Sequence, residues 1–183
     1  MPRSLRPDDC VRAARPDDLA ALAGVERAAA TLLRAAGIQG AFLDEVTPFE
    51  EFAEAQSDGH LWVAVHRDRC VGFALVLVLE DGEPWLEELD VHPDHGRRGL
   101  GRALVERVIE WARDHGARSL ALSTFRDVAW NAPFYSSLGF HALTREEESP
   151  AHREVVADET RRGLPAEDRV VMRVALETVS PRS

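Results

Sequence analysis

The sequence predicts an α/β protein: a mixed, mostly antiparallel central sheet with one parallel crossover, flanked by helices. Three observations predict it. Residues 60–66 (HLWVAVH) and 70–79 (CVGFALVLVL) are apolar runs of strand length joined by the charged turn Arg67-Asp68-Arg69. Glu80-Asp81-Gly82 then supplies a hairpin turn into a third strand beginning at Trp85, which gives an antiparallel meander. Finally, an amphipathic helix from Leu100 separates that strand from the next, Ser119 to Thr124. A crossover of that length implies parallel pairing, normally right-handed.

Taken in order, residues 1–9 read as a loose leader and Cys10 to Ala14 as a short edge strand. Pro16-Asp17-Asp18 offers a helix start ahead of Leu19, Leu22, Val25 and Leu32 at helical spacing, with Gly37 as the stop. Pro48 to Ala55 reads as a second short helix with Phe49 and Phe52 on one side. The 70–79 run is apolar on both faces, the pattern of a central strand. After Phe140 a strand is expected over His141 to Arg145. An exposed helix follows, from Ser149-Pro150 past Val155 and Val156 to Gly163, suited to surface decoration or a dimer contact. The last strand spans Asp168 to Leu176. At 183 residues and 45% apolar content the chain suits one domain, residues 1–176, with a tail at 177–183.

The stretch from Trp85 to Gly116 carries the functional signal. Trp85 to Val91 forms a strand stopped by Pro93, with Glu87 on the face shared by Trp85, Leu89 and Val91. Gly96, Arg97, Arg98, Gly99 and Gly101 follow. A helix then sets Leu100, Leu104, Val108 and Trp111 on one stripe and Arg102, Glu106 and Glu110 on another. A glycine turn that opens a helix aims unpaired backbone N–H groups and the positive end of the helix dipole at one point, an anion site suited to phosphate. A P-loop is excluded, since it needs a lysine and the chain has none; a dinucleotide fingerprint fails because Leu104 stands where its third glycine belongs.

A second motif, TFRDVAWNAPFYSSLGF, spans Thr124 to Phe140. Asn131 takes an N-cap position, Phe134 and Leu138 share a core-facing side, and Gly139 ends a short helix. Tyr135, the only tyrosine in the chain, is expected to turn off that face.

Together the two motifs resemble the GNAT superfamily of acetyl-CoA-dependent N-acetyltransferases. Val91, Pro93, Gly99 and Gly101 match its pyrophosphate loop, with Gly96 in the loop's first position and the arginines displaced to Arg97 and Arg98. Asn131, Phe134, Tyr135, Gly139 and Phe140 match its second motif, Asn131 standing one residue closer to the tyrosine than in the usual register. The resemblance implies acetyl-CoA as co-substrate. It places Leu89, Val91, Arg97, Arg98, Gly99, Leu100, Gly101, Arg102, Asn131 and Phe134 against that ligand, and an acceptor pocket in the N-terminal third.

Acyl transfer to an amine needs three things: a neutral amine, a stabilised oxyanion and a protonated leaving thiolate. Glu87, between Trp85 and Leu89, suits a general base, because apolar neighbours raise a carboxylate pKa. Glu88 is the alternative; it lies on the opposite face with Asp90, where solvated carboxylates are expected. The resemblance assigns the oxyanion to a strand N–H near Leu89 to Val91 and the proton on sulfur to Tyr135. The expected function is N-acetylation of a primary amine by direct transfer in a ternary complex. A small-molecule acceptor comes first, a protein N-terminus second, and a non-catalytic acyl-CoA-binding module third.

Composition narrows the partners. A formal charge of −10 argues against nucleic acid. No apolar run approaches a membrane span, and the first ten residues lack the apolar segment of a signal peptide, so a soluble cytoplasmic protein is expected. Cys10 and Cys70 have no paired spacing, and His92 with His95 lacks a further ligand, so neither a disulfide nor a metal is expected. A homodimer is left open.

Overall fold

The computed structural model describes residues 5–177; the start of the expected leader (1–4) and most of the expected tail (178–183) lie outside the described residues. The elements run β1 (Asp9–Ala13), α1 (Leu19–Ala35), α2 (Phe49–Ser57), β2 (Leu61–His66), β3 (Arg69–Val78), β4 (Pro84–Val91), α3 (Leu100–Asp114), β5 (Ser119–Phe125), α4 (Ala132–Ser136), β6 (His141–Ala142), α5 (Pro150–Arg161) and β7 (Arg169–Ala175). The strands form one mixed sheet in the order β1-β2-β3-β4-β5-β7-β6, with β4 and β5 as its parallel pair. No helix among the described residues is long and apolar enough to cross a membrane. The chain divides into two compact units. One holds the residues up to Leu77 together with Glu87–Val108, the other Val78–Leu86 and the residues from Ile109 onward.

In the first unit, β1 pairs antiparallel with β2 and β2 with β3. The β2–β3 turn puts Arg67 and Asp68 at φ 46 and 65, matching the right-handed twist of the strands it joins. Alternation along β2 and β3 sends Leu61, Val63, Val65, Phe73 and Leu75 to one face, where they meet Leu19, Leu22 and Val25 of α1 and Phe52 and Ala55 of α2. Trp62, Ala64, Ala74 and Val76 are buried on the other face, so β3 is covered on both sides, as its composition predicts.

Two expected core positions are corrected. Leu32 is exposed, because it lies roughly 20 Å along α1 from Leu19, past the last buried residue of the helix. Phe49 is also exposed, at the first turn of α2, so only Phe52 of that pair enters the core, where it meets Phe73 edge to face at 5.2 Å. Gly72 permits the close approach of β3 to β4: a Cβ there would stand 2.7 Å from the Asp90 carbonyl oxygen.

In the second unit, β4 and β5 register at Trp85 opposite Ala121, and β7 lies antiparallel to both β5 and β6. The strand expected over 141–145 shrinks to His141–Ala142, because the Thr144 N–H turns to the Glu147 carboxylate.

The helix expected to be exposed, α5, is instead anchored. Its residues 152, 155, 156 and 159 form one helical stripe. Val155 and Val156 pack on Trp85, Ala121, Leu143 and Val171, while His152 and Glu159 are buried. His152 Nδ1 accepts the Ser149 N–H, which leaves the proton on Nε2 for Glu83 at 2.6 Å; the Ser119 hydroxyl donates to the same carboxylate. Glu159 accepts from Ser123 Oγ at 2.8 Å and from Arg169 Nη2 at 2.7 Å. Two polar residues on the buried stripe disguised the helix as a surface one.

His152→Ala is expected to destabilise the protein by about 2–4 kcal/mol, since it leaves Glu83 desolvated without its imidazole partner. Urea denaturation of the variant against wild type measures it.

Candidate active site

Val91 ends β4, and a 3-10 turn over Pro93–His95 leads into the glycine segment. Arg97 and Gly99 both take positive φ, 57 and 90, a conformation easy for glycine and costly for arginine. The chain thereby reverses and starts α3 at Leu100. The first helical bond runs from Ala103 N–H to the Gly99 carbonyl, and the Leu100 and Gly101 N–H groups, which precede it, meet no protein acceptor among the described residues. A 15-residue helix opening with unspent N–H groups is suited to an anion.

The side chains predicted around this turn divide by what they can offer. Leu100 is fully buried and contributes only its backbone. The Arg98 guanidinium folds back onto the Asp94 carbonyl at 3.1 Å and lies 3.3 Å from His95 Nδ1. Arg102 lies 3.6 Å from Glu106. Arg97 is exposed. Trp111, expected on the buried stripe, is only half-buried; that stripe consists of Leu100, Leu104, Val105, Val108, Ile109 and Ala112.

On β4, Glu87, Glu88, Leu89 and Val91 are all half-buried. The expectation that the Glu88 and Asp90 face is solvated is corrected. Burial pushes the Asp90 carboxyl well above the usual carboxylate range, and the negative charge of Glu26 on α1 adds to the rise. Glu26 in turn holds the segment before α2, accepting the Thr47 N–H at 2.9 and 3.0 Å and the Thr47 hydroxyl at 3.1 Å. Asp90 is thus a desolvated carboxyl that its position beside Glu88 did not mark in the sequence.

The second motif lies in the other unit. Asn131 stands at the N-cap of α4, yet its side chain makes no capping bond. Tyr135, expected to turn off the core face, is the buried residue of α4 at 9% exposure, while Phe134 and Leu138 are half-buried. Its ring packs edgewise on Phe134 at 5.1 Å and on Phe140 at 5.7 Å. The turn after α4 explains the inversion. The Leu138 and Phe140 N–H groups both bond the Tyr135 carbonyl, and this curls Phe140 over the tyrosine ring.

Neither cysteine is disposed to carry an acyl group. Cys10 is unpaired on β1, and burial pushes the Cys70 thiol up to about 11, far from the thiolate a nucleophile needs. Among the described residues no three His, Cys, Asp or Glu side chains converge as metal ligands.

The arrangement is that of an α/β protein with a glycine turn and a helix N-terminus following β4. The model of the acetyltransferase (GNAT) family matches residues 29–140, and the chain belongs to that family. Over 94 residues it is 34% identical to the [ribosomal protein bS18]-alanine N-acetyltransferase of Escherichia coli K12, a match covering 51% of this chain and 63% of that protein, less than two thirds of its length.

Two solved structures share the fold. The Escherichia coli ribosomal-protein-S18-alanine N-acetyltransferase gives a TM-score of 0.64 at 22% identity over 96% of this chain and 98% of its own. The N-acetylglutamate synthase of Neisseria gonorrhoeae, complexed with coenzyme A and N-acetyl-glutamate, gives 0.69 at 18% identity over 92% of this chain and 35% of its own.

The raised Asp90 carboxyl has a defined effect on stability. Between the ordinary carboxylate pKa of the unfolded chain and the higher folded value, the folded state holds the extra proton, so stability falls as pH rises through that window. Above it the cost of the buried charge is complete. Asp90→Asn removes that cost and is expected to raise the melting temperature at pH 8, by about 2–4 °C per kcal/mol recovered, with little change at pH 4. Thermal melts of both proteins at the two pH values check the sign.

Proposed function

We propose that this chain is an N-acetyltransferase that moves the acetyl group of acetyl-CoA to a primary amine by direct transfer in a ternary complex. The observation that carries the reading is the α3 N-terminus in a GNAT-family chain. The Leu100 and Gly101 N–H groups, behind a left-handed Gly99, suit the pyrophosphate of a coenzyme A ester. Arg97 and Arg102 add positive charge beside it. Backbone groups of Leu89 and Val91 hold the pantetheine arm; the family resemblance also assigns Asn131 and Phe134 to the cofactor.

Chemistry on the thioester then has three parts. The amine nitrogen attacks the carbonyl carbon, and a β4 N–H near Leu89 to Val91 stabilises the oxygen as it gains charge. A β4 carboxylate takes the proton that the attacking nitrogen must lose. The carbon–sulfur bond breaks, and the Tyr135 hydroxyl delivers a proton to the departing sulfur; a phenol keeps its proton at neutral pH and can do so. Glu87 and Glu88 are the two candidates for the base. The desolvation of Asp90, two residues from Glu88 on the same face, favours that face over the apolar one. Much of the rate comes from holding amine and thioester together.

The acceptor is proposed to be a small primary amine. A second reading, a protein N-terminus, is favoured by the similarity to the bS18-alanine enzyme.

Calorimetric titration of acetyl-CoA into the protein is expected to give micromolar binding, and absence of binding refutes the reading at its base. With an identified amine, Tyr135→Phe is expected to lower kcat by about 100-fold or more while leaving acetyl-CoA affinity near wild type; a wild-type rate removes the tyrosine from the mechanism. Glu88→Gln and Glu87→Gln, compared for loss of the acidic limb in the kcat/KM–pH profile, identify the base. The variant that loses about 100-fold or more and flattens the profile marks it.

A further inference from the structure

Three histidines and an arginine cluster ahead of Gly99, and the chemistry proposed above uses none of them. His66, at the end of β2, has its ring 5.0 Å from that of His95, and the His92 ring stands edge to face with His95 at 6.0 Å. His66 Nδ1 lies 2.6 Å from Asp9 of β1, a carboxylate whose side chain is fully buried and whose second oxygen has no hydrogen bond. The Asp94 carboxylate lies 3.8 Å from His92 Nδ1.

The arginine fixes the state of His95. A guanidinium carries N–H donors and no acceptor, so His95 Nδ1, 3.3 Å from Arg98 Nη1, accepts. His95 is therefore neutral in this arrangement, with its proton on Nε2. Its backbone is tied down as well, since the His95 N–H bonds the His92 carbonyl at 2.8 Å. Arg98 Nη2 donates to the Asp94 carbonyl at 3.1 Å. These two bonds fold the arginine that directly precedes Gly99 back onto residues 94 and 95.

We propose that His95 is a pH-dependent latch on Arg98, a positioning residue that withholds the guanidinium from the phosphates of acetyl-CoA when neutral and releases it when protonated. The inference rests on the acetyl-transfer reading given above and adds a regulation to its cofactor site. A second proton on His95 occupies Nδ1, so the bond from Arg98 is lost and two like charges face each other. Arg98 then keeps only an exposed bond to a carbonyl. Phosphates at the α3 N-terminus offer it charge-assisted bonds instead. The surroundings set where the latch opens. Burial, Arg98, His66 and His92 push the His95 imidazole below its ordinary range, and Asp9 pulls the other way. α1 also packs on this turn and carries Glu26, Arg27 and Arg34; Glu26 engages Thr47 and Arg34 engages Asp44. The latch is thus closed at neutral pH and opens on acidification.

The test titrates acetyl-CoA into the full chain by calorimetry at pH 7.5 and pH 5.5. Each affinity is taken as a ratio to that of Arg98→Gln at the same pH, which cancels the titration of the ligand's own phosphate. The wild-type ratio is expected to rise about fivefold or more at the lower pH. His95→Phe keeps a ring but offers no acceptor, so its ratio is expected to be high at both pH values. His95→Asn offers a carbonyl oxygen that does not titrate, so its ratio is expected to stay low at both. By NMR the His95 imidazole is expected to titrate below the ordinary histidine range and to move up in Arg98→Gln.

A wild-type ratio that does not change with pH, a His95→Phe that behaves as wild type, or a His95 titration unmoved by Arg98→Gln overturns the latch while acetyl transfer stands. Absence of acetyl-CoA binding at both pH values overturns the acetyl-transfer reading, and the latch falls with it.

Discussion

The alternation of side chains along β4 governs the candidate chemistry. Three carboxylates, Glu87, Glu88 and Asp90, fall within four residues of one strand, and a strand sends neighbours to opposite faces. A single-residue shift in register would exchange them. That register is pinned where Gly72 lets β3 approach the Asp90 carbonyl, closer than any side chain would allow, and where Trp85 meets Ala121 in the parallel pair. The end of the same strand sets where the Gly99 turn begins, and so where the N–H groups of α3 point.

The two compact units are stabilised by different means. In the first, an apolar core between α1, α2 and the β2–β3 face carries the packing, and polar contacts tie its edges: His66 with Asp9 across β1 and β2, Arg12 with Asp18, Glu26 with Thr47. The second has a smaller apolar cluster and adds buried polar anchors, His152 on Glu83 and Glu159 on Ser123 and Arg169. Satisfied polar groups of this kind fix one position of α5 against the strands more sharply than apolar contact alone, because any slip leaves a desolvated group unpaired.

Membership of the acetyltransferase (GNAT) family accounts for the fold and for the glycine turn. The acceptor is a separate question, because a shared fold hosts many substrates and the chain spans less than two thirds of its bS18-alanine relative.

The sequence by itself determined the order of elements, the meander, the crossover and the glycine turn. These depend on local rules of period, turn chemistry and glycine conformation: Arg67-Asp68 in the β2–β3 turn, Gly82 after β3, Gly99 before α3. Only the tertiary structure decided which polar residues are buried. His152 and Glu159 read as a helix surface, Tyr135 as a residue facing outward, and Asp90 as a solvated carboxylate. Burial of a polar group depends on a partner far away in the chain, Glu83 for His152 and Ser123 for Glu159, and a single sequence carries no local mark of that partner. Exposure of Leu32 and Phe49 has the same origin in reverse. An apolar side chain is buried only where another element arrives to cover it.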